Sequence, residues 1–157
     1  MKDLKSIEKA LESKVKEYLE NCCSEDECYS EETEFDVTIN GIEYGISICE
    51  DCWNDYDFFD NTLYQKDPIK ELVSMNPKIL INCSASPTRA KKEQLKHNML
   101  SFISHKYKLP FIYVNQVGAI DNSSFDGSSR VFNKEGKLIA RAKSFEEQLL
   151  IVNPFNE

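Results

Sequence analysis

Leu4, Ile7, Leu11, Val15 and Tyr18 recur at three- and four-residue spacing with Lys and Glu between them. That period predicts an amphipathic helix over residues 2–21, packed by one face. From Asn21 to Glu34 the chain turns acidic and polar and reads as a loop. Apolar residues then condense into two strands. The first ends at Ile39, Asn40-Gly41 turns the chain, and Tyr44 to Ile48 returns as a nearly unbroken apolar run. Asn-Gly suits the two positive φ angles of a type I′ hairpin turn. Cys49 ends the return strand. Glu50 and Asp51 follow, as in the first turn of a helix or a sharp bend.

Asn54 to Tyr64 is an acidic, aromatic loop whose Phe58 and Phe59 are expected to tuck inward. Asp67-Pro68 predicts a short helix, with Asp as cap, Pro in the first turn, and Ile69, Leu72 and Val73 toward the core. Lys78 to Cys83 reads as a buried strand that Ser84 to Pro87 breaks. Thr88 to Lys108 predicts a second long helix with Leu95, Met99, Phe102 and Ile103 on its apolar stripe. Lys91, Lys92, Lys96 and Lys106 are expected mostly on its wet side, and His97 and His105 toward solvent. Phe111 to Gln116 is a strand and Gly118 to Gly127 a polar loop. Three strands follow, Ser129–Asn133, Lys137–Lys143 and Gln148–Val152, the first two joined by a turn through Gly136. The order predicts a layered α/β or α+β fold with a mixed sheet.

Composition narrows the classes. At 157 residues the chain suits one domain with a sizeable core. Its net charge of −8 argues against nucleic acid and anionic membranes as partners. No apolar run approaches the roughly 20 residues that span a bilayer, and Met1 to Lys9 is too polar for a signal peptide. A cytoplasmic location with six reduced cysteines is expected. The charge is uneven: residues 1–60 carry a net −13 and residues 61–157 a net +5. Two segments with different roles, or one segment foreign to the other, are therefore expected.

Cys49 is the chemical candidate. A thiol at the end of a buried strand, where backbone N–H groups turn toward it, can serve as a nucleophile. The plainer alternative is a small buried apolar residue. Cys22, Cys23 and Cys28 with Cys49-x-x-Cys52 could instead form a zinc site, but the first group lacks a clean C-x-x-C and Cys49 is approached through a buried strand. No metal is expected. A redox C-x-x-C is disfavoured because nothing upstream resembles its usual βαβ context.

Three separated stretches resemble one family. I-S-I-C-E-D-C-W (46–53) resembles the nucleophile strand of the nitrilase superfamily of carbon–nitrogen hydrolases. It is similar above all to the glutamine-hydrolysing domain of glutamine-dependent NAD synthetases, where Cys-Glu-Asp-x-Trp is characteristic. L-I-N-C-S-A-S-P (80–87) resembles that family's substrate-holding strand and loop. Y-V-N-Q-V-G (113–118), F-D-G-S-S (125–129) and A-R-A-K-S-F-E-E-Q-L-L (140–150) resemble the C-terminal strands of the same domain. The resemblance covers residues 35–153, about three quarters of the chain, and implies a division into 1–34, which does not match the family, and 35–157, which does. It implies part of an αββα sandwich, the C-terminal half of a glutaminase domain.

By the same resemblance Cys49 would attack the side-chain amide of glutamine and release ammonia for NAD biosynthesis. The backbone N–H of Glu50 would help hold the oxyanion, and Ser86 and Lys92 would bind the α-amino and α-carboxylate ends of the substrate. Without the family, Ser86 is a turn residue before Pro87 and Lys92 an exposed helix charge. The family also uses a glutamate base and a lysine upstream of the cysteine, and nothing in residues 1–34 matches them. A truncated or split form, inactive alone, is thus expected. No cofactor is implied for this segment, since ATP and Mg would belong to a synthetase domain. Half a sandwich leaves a sheet face uncovered, so a homo-oligomer or a complementing chain is expected. The alternative is a non-catalytic interaction or structural domain derived from this fold.

Overall fold

The structure, a computed structural model, describes residues 35–61 and 65–155. The helix expected over 2–21 and the acidic loop after it lie outside them. The elements run β1 (Phe35–Ile39), β2 (Ile42–Ile48), a 3-10 turn (Cys49–Trp53), α1 (Pro68–Ser74), β3 (Ile79–Ser84) and α2 (Lys92–Tyr107). After these come β4 (Phe111–Asn115), β5 (Val117–Ile120), β6 (Ser123–Asp126), β7 (Arg130–Phe132) and β8 (Leu138–Arg141). Six strands form one mixed sheet in the order β1-β2-β3-β4-β7-β8, and β5 pairs with β6 separately.

The β1–β2 hairpin turns at Asn40 and Gly41, both at positive φ (53° and 79°), as the dipeptide predicts. Strands β2, β3 and β4 are mutually parallel, with Ile48 beside Cys83 and Ser84 beside Asn115. The C-terminal ends of all three therefore reach one edge of the sheet. β1, β7 and β8 pair antiparallel and close the flanks.

Both described helices pack on one face. Leu72 of α1 lies against Gly45 and Leu80, and Met99, Leu100 and Ile103 of α2 join Phe111, Tyr113 and Phe132 in one fully buried cluster. Asp67 caps α1 by accepting the Lys70 backbone N–H at 3.1 Å, and Pro68 fills its first position. By strand alternation the opposite face carries Ile46, Ile48, Ile81, Cys83, Ile112, Val114 and Val131. Ile46 and Val131 are buried there, whereas Val114 is 46% exposed. Among the described residues, α-helix on mixed sheet accounts for two of the four layers in the expected sandwich.

Several sequence expectations need correction. α2 starts at Lys92 rather than Thr88, because Lys91 takes left-handed φ (69°) and Thr88 donates its N–H to Ser124 O at 2.8 Å. The polar stretch 118–127 is the β5–β6 hairpin, turning at Asp121 with φ 52°. Being small and mostly exposed, its residues show no apolar alternation to betray a strand. Residues 148–152 form no strand; Leu149 and Ile151 are 88% and 89% exposed. Lys96 is buried rather than wet, and His97 packs edge-on against Phe132 with ring centroids 5.2 Å apart. Phe58 and Phe59 do turn inward, Phe58 onto Phe102 at 5.3 Å and Phe59 onto Trp53 at 6.2 Å.

Lys106 pins the loop after the 3-10 turn to α2. Its Nζ donates to both carboxylate oxygens of fully buried Asp55 (2.9 and 2.8 Å) and reaches exposed Asp57 at 2.8 Å. Asp55 Oδ1 also accepts the backbone N–H groups of Asp57 and Phe58. Burial alone would lower the lysine pKa, but the bonds from Asp55, Asp57 and Tyr107 outweigh it and raise it above the ordinary value of 10.5.

Lys106→Met leaves Asp55 buried without its cation and is expected to cost about 3 kcal/mol at pH 7, read by urea denaturation. Because the folded pKa is raised, the stability from Lys106 is complete below the unfolded value of 10.5 and fades only as pH climbs toward the folded one. The stability difference from wild type should therefore hold between pH 7 and 9. A Cβ on Gly45 would meet Leu72 Cγ at 2.8 Å and Leu80 Cδ2 at 3.1 Å. Gly45→Ala should cost about 1–3 kcal/mol in the same assay.

Candidate active site

Parallel strands deliver three turns to the same edge, where open sheets generally place ligands. Cys49 follows β2, the loop Ala85–Lys91 follows β3, and Asn115-Gln116 ends β4. Cys49 opens the 3-10 turn with φ 49°, a left-handed conformation costly for a residue with a Cβ. Asp51, buried, accepts the Ile48 backbone N–H through Oδ2 at 2.6 Å and holds that turn tightly to the strand end. The thiol is half-buried.

The loop after β3 is held by side chains from the motifs that resemble the family. Asn115 Oδ1 accepts the Ser86 N–H at 2.9 Å, and Gln116 N–H donates to Ser84 O at 2.9 Å. Gly127 N–H in turn donates to Gln116 O at 2.9 Å, which ties the β5–β6 hairpin to the same loop. Asn115 Nδ2 points at Asp126 Oδ1 (3.4 Å), and Asp126 lies 3.7 Å from Lys96 Nζ. N-Q-V-G and F-D-G are thus scaffolding for the Ser86 loop. Their residues were visible in the sequence, but their spatial partners were not.

Across the sheet runs a file of polar groups, Ser47 and Asn82 buried and Ser84 half-buried: Asn82 Nδ2 donates to Ser47 Oγ (3.0 Å) and Ser84 Oγ donates to Asn82 Oδ1 (2.7 Å). It leads to Tyr113, a core residue whose phenol faces the Ser84 and Ser86 hydroxyls. Burial, first, and then the neighbouring sulfurs of Cys52 and Cys49 work against the lowering effect of Ser84 and Ser86, and the Tyr113 pKa rises to about 12. Tyr113 Oη and Ser86 Oγ, though close, make no hydrogen bond of good geometry with any protein atom, and both are buried. Two hydroxyls of that kind beside a thiol leave bonding capacity for a polar ligand. Tyr113 was not singled out in the sequence, since a Tyr in an apolar strand looks like packing.

Two ammonium groups overlook this edge. Lys92 Nζ sits 4.8 Å from the Trp53 ring centroid, and its charge reaches Cys52. Lys96 Nζ sits 5.4 Å from the Tyr113 ring. Burial lowers the Lys96 pKa, Asp126 and Glu93 opposing. Glu93 also accepts Arg130 at 2.7 Å and Arg141 at 2.9 Å, which binds the start of α2 to β7 and β8. Of the candidates, Cys49 and Ser86 thus lie on turns that follow adjacent parallel strands, Lys92 opens α2 after the second of these, and Glu50 is the exposed residue after Cys49. His97 and His105 lie further along α2, His105 bonding Glu135 O at 3.1 Å. Among the described residues no three His, Cys, Asp or Glu side chains gather as metal ligands. The zinc alternative depends on Cys22, Cys23 and Cys28, outside them.

No protein-family model matches the chain. It is 38% identical over 112 residues to glutamine-dependent NAD(+) synthetase of Synechocystis sp., covering 71% of this chain and 20% of that relative. To the synthetase of Aquifex aeolicus it is 34% identical over 116 residues, covering 74% and 19%. The chain thus spans about a fifth of the length of the curated relatives it matches. Among solved structures, the glutamine-dependent NAD+ synthetase of Acinetobacter baumannii, in complex with ADP, superposes with a TM-score of 0.63 at 30% identity, over 74% of this chain and 20% of that one. A Nesterenkonia amidase from the nitrilase superfamily gives 0.58 at 13% identity, over 73% and 38%, a likeness of fold alone. Over about 70% of its length the chain is thus similar to glutamine-dependent NAD(+) synthetases, and its fold is that of the nitrilase-superfamily amidase.

Proposed function

We propose that this chain supplies the nucleophile side of a glutamine amidohydrolase that feeds ammonia to NAD synthesis. The observation that carries the reading is Cys49 in a left-handed turn at the sheet edge, near the Tyr113 phenol that Ser86 also faces, with both hydroxyls unpartnered and the charge of Lys92 reaching Cys52 of the same turn. The Cys49 thiolate attacks the side-chain amide carbon of glutamine, the carbonyl oxygen takes up negative charge beside the Glu50 backbone N–H, and ammonia leaves. Water then hydrolyses the thioester. Lys92 pairs with the α-carboxylate as a charge-assisted contact, and Ser86 binds the α-amino end. Thiol, hydroxyl and ammonium groups do not fit Mg²⁺, which takes oxygen ligands in an octahedron. ATP and Mg²⁺ belong to separate synthetase machinery, and the setting is cytoplasmic.

Residues 1–34 hold no counterpart of the family's glutamate base and lysine, so another polypeptide segment must contribute them. General-base help is worth about 10²–10⁴-fold and an oxyanion donor about 10²–10³-fold. The chain alone should accordingly release ammonia from glutamine at least about 10⁴-fold more slowly than typical enzyme turnover. Turnover near one per second, lost in Cys49→Ala, would overturn that and show that a base and a cation are already in place. Substrate binding is tested separately with a chloroketone analogue of glutamine, which should alkylate Cys49. Lys92→Met should slow that labelling about tenfold or more through the lost charged contact, and Ser86→Ala should slow it less. Labelling indifferent to both changes removes the glutamine site and favours the non-catalytic alternative.

The sheet face bearing Ile48, Ile81, Ile112 and Val114 supports association, either of two copies or with the chain that contributes the missing groups. Sedimentation velocity at micromolar concentration should give a species larger than the monomer, or a monomer that shifts on addition of a complementing chain. A compact monomer indifferent to any such chain contradicts the proposal.

A further inference from the structure

We propose that Cys49 and Cys52 form a reversible disulfide that shuts the site under oxidation. Both residues belong to the single 3-10 turn Cys49–Trp53. A 3-10 helix repeats every three residues with a rise of about 2.0 Å each, so residues three apart eclipse one another at a Cα separation of about 6 Å. Disulfides span Cα separations of about 4.4–6.8 Å. The Cys52 sulfur already lies against its partner's backbone, its Sγ 3.4 Å from Cys49 O. Both sulfurs act on the same Tyr113 phenol, which puts them on the helix-bearing side of the sheet.

The two thiols differ in access, which sets the order of events. Cys49 is half-buried and meets solvent, while Cys52 is fully enclosed by the core. Burial, then the charge of Asp51, pushes the Cys52 thiol pKa well up, so it stays protonated and inert until a partner sulfur is activated. A hydroperoxide transfers one oxygen to Cys49: its O–O bond breaks, the thiol becomes a sulfenic acid, and water or an alcohol departs. The Cys52 sulfur then attacks the Cys49 sulfur, the S–O bond breaks, and the Cys52 proton leaves with the hydroxyl as water. Two cysteines lose two electrons in all, and the peroxide gains them. The bond consumes the thiol needed for attack on an amide and protects it from irreversible oxidation to the sulfinic acid. The pair follows the first strand of the parallel β2–α1–β3 unit, and a switch confined to one turn needs no further element.

Loss of amide hydrolysis on closure rests on the reading of Cys49 as nucleophile, whereas bond formation does not. The test uses the full chain with Cys22, Cys23, Cys28 and Cys83 changed to Ser, treated with hydrogen peroxide and mapped by mass spectrometry. The expected product is a peptide lacking two hydrogens and joining Cys49 to Cys52. Maleimide labelling of Cys49 should fall at least about tenfold and return after dithiothreitol. In Cys52→Ala, excess peroxide should carry Cys49 on to the sulfinic acid, and dithiothreitol should not restore labelling. A Cys49 that gains oxygen while Cys52 keeps its hydrogen overturns the proposal, and that mapping needs no Cys52 variant to fold. If reduced Cys49 ignores the glutamine chloroketone yet the disulfide forms, the glutaminase reading fails and the switch stands.

Discussion

The parallel alignment of β2, β3 and β4 is the constraint on which the rest depends. Three adjacent strands running the same way must end on one edge, so the turns that follow them become neighbours although they lie over thirty residues apart in the chain. Burial of one face holds that alignment in register. Leu80, Phe111 and Tyr113 point into the same cluster as Leu72, Met99 and Ile103, and a slip of one residue would turn that apolar row to the wrong face. Gly45 lets α1 come close enough to complete the packing.

Polar groups placed inside this frame do the finer positioning. Asn115 and Asp126 stake the Ser86 loop, Asp51 holds the Cys49 turn, and the Lys106–Asp55 pair fixes the loop beyond it. Buried pairs of this sort add little net stability over apolar packing, because desolvation offsets most of the attraction. Their effect is to hold backbone in unfavourable shapes. Cys49 at φ 49° and Lys91 at φ 69° are two such places, and both flank the candidate site.

Both proposals meet in the same 3-10 turn. It presents the Cys49 sulfur at the sheet edge and encloses Cys52 in the core, so the residue after Asp51 links the proposed nucleophile to the core.

Features decided within a few residues were legible in the sequence. Asn40-Gly41 dictates its own turn through positive φ, Asp67-Pro68 caps its own helix, and the apolar run Tyr44–Ile48 demands a buried strand ending at Cys49. Features that depend on distant partners were not. Lys96 and Lys106 have the same local signature as any surface lysine of α2, and only Asp126 and Asp55, brought up by the fold, take them out of water. The β5–β6 hairpin lacks apolar alternation because it is mostly exposed, and Gln148–Val152 has strand-like residues but among the described residues no strand to pair with. Backbone preference and capping act over one turn of chain, whereas burial of charge and strand pairing require a partner whose position only the tertiary structure supplies.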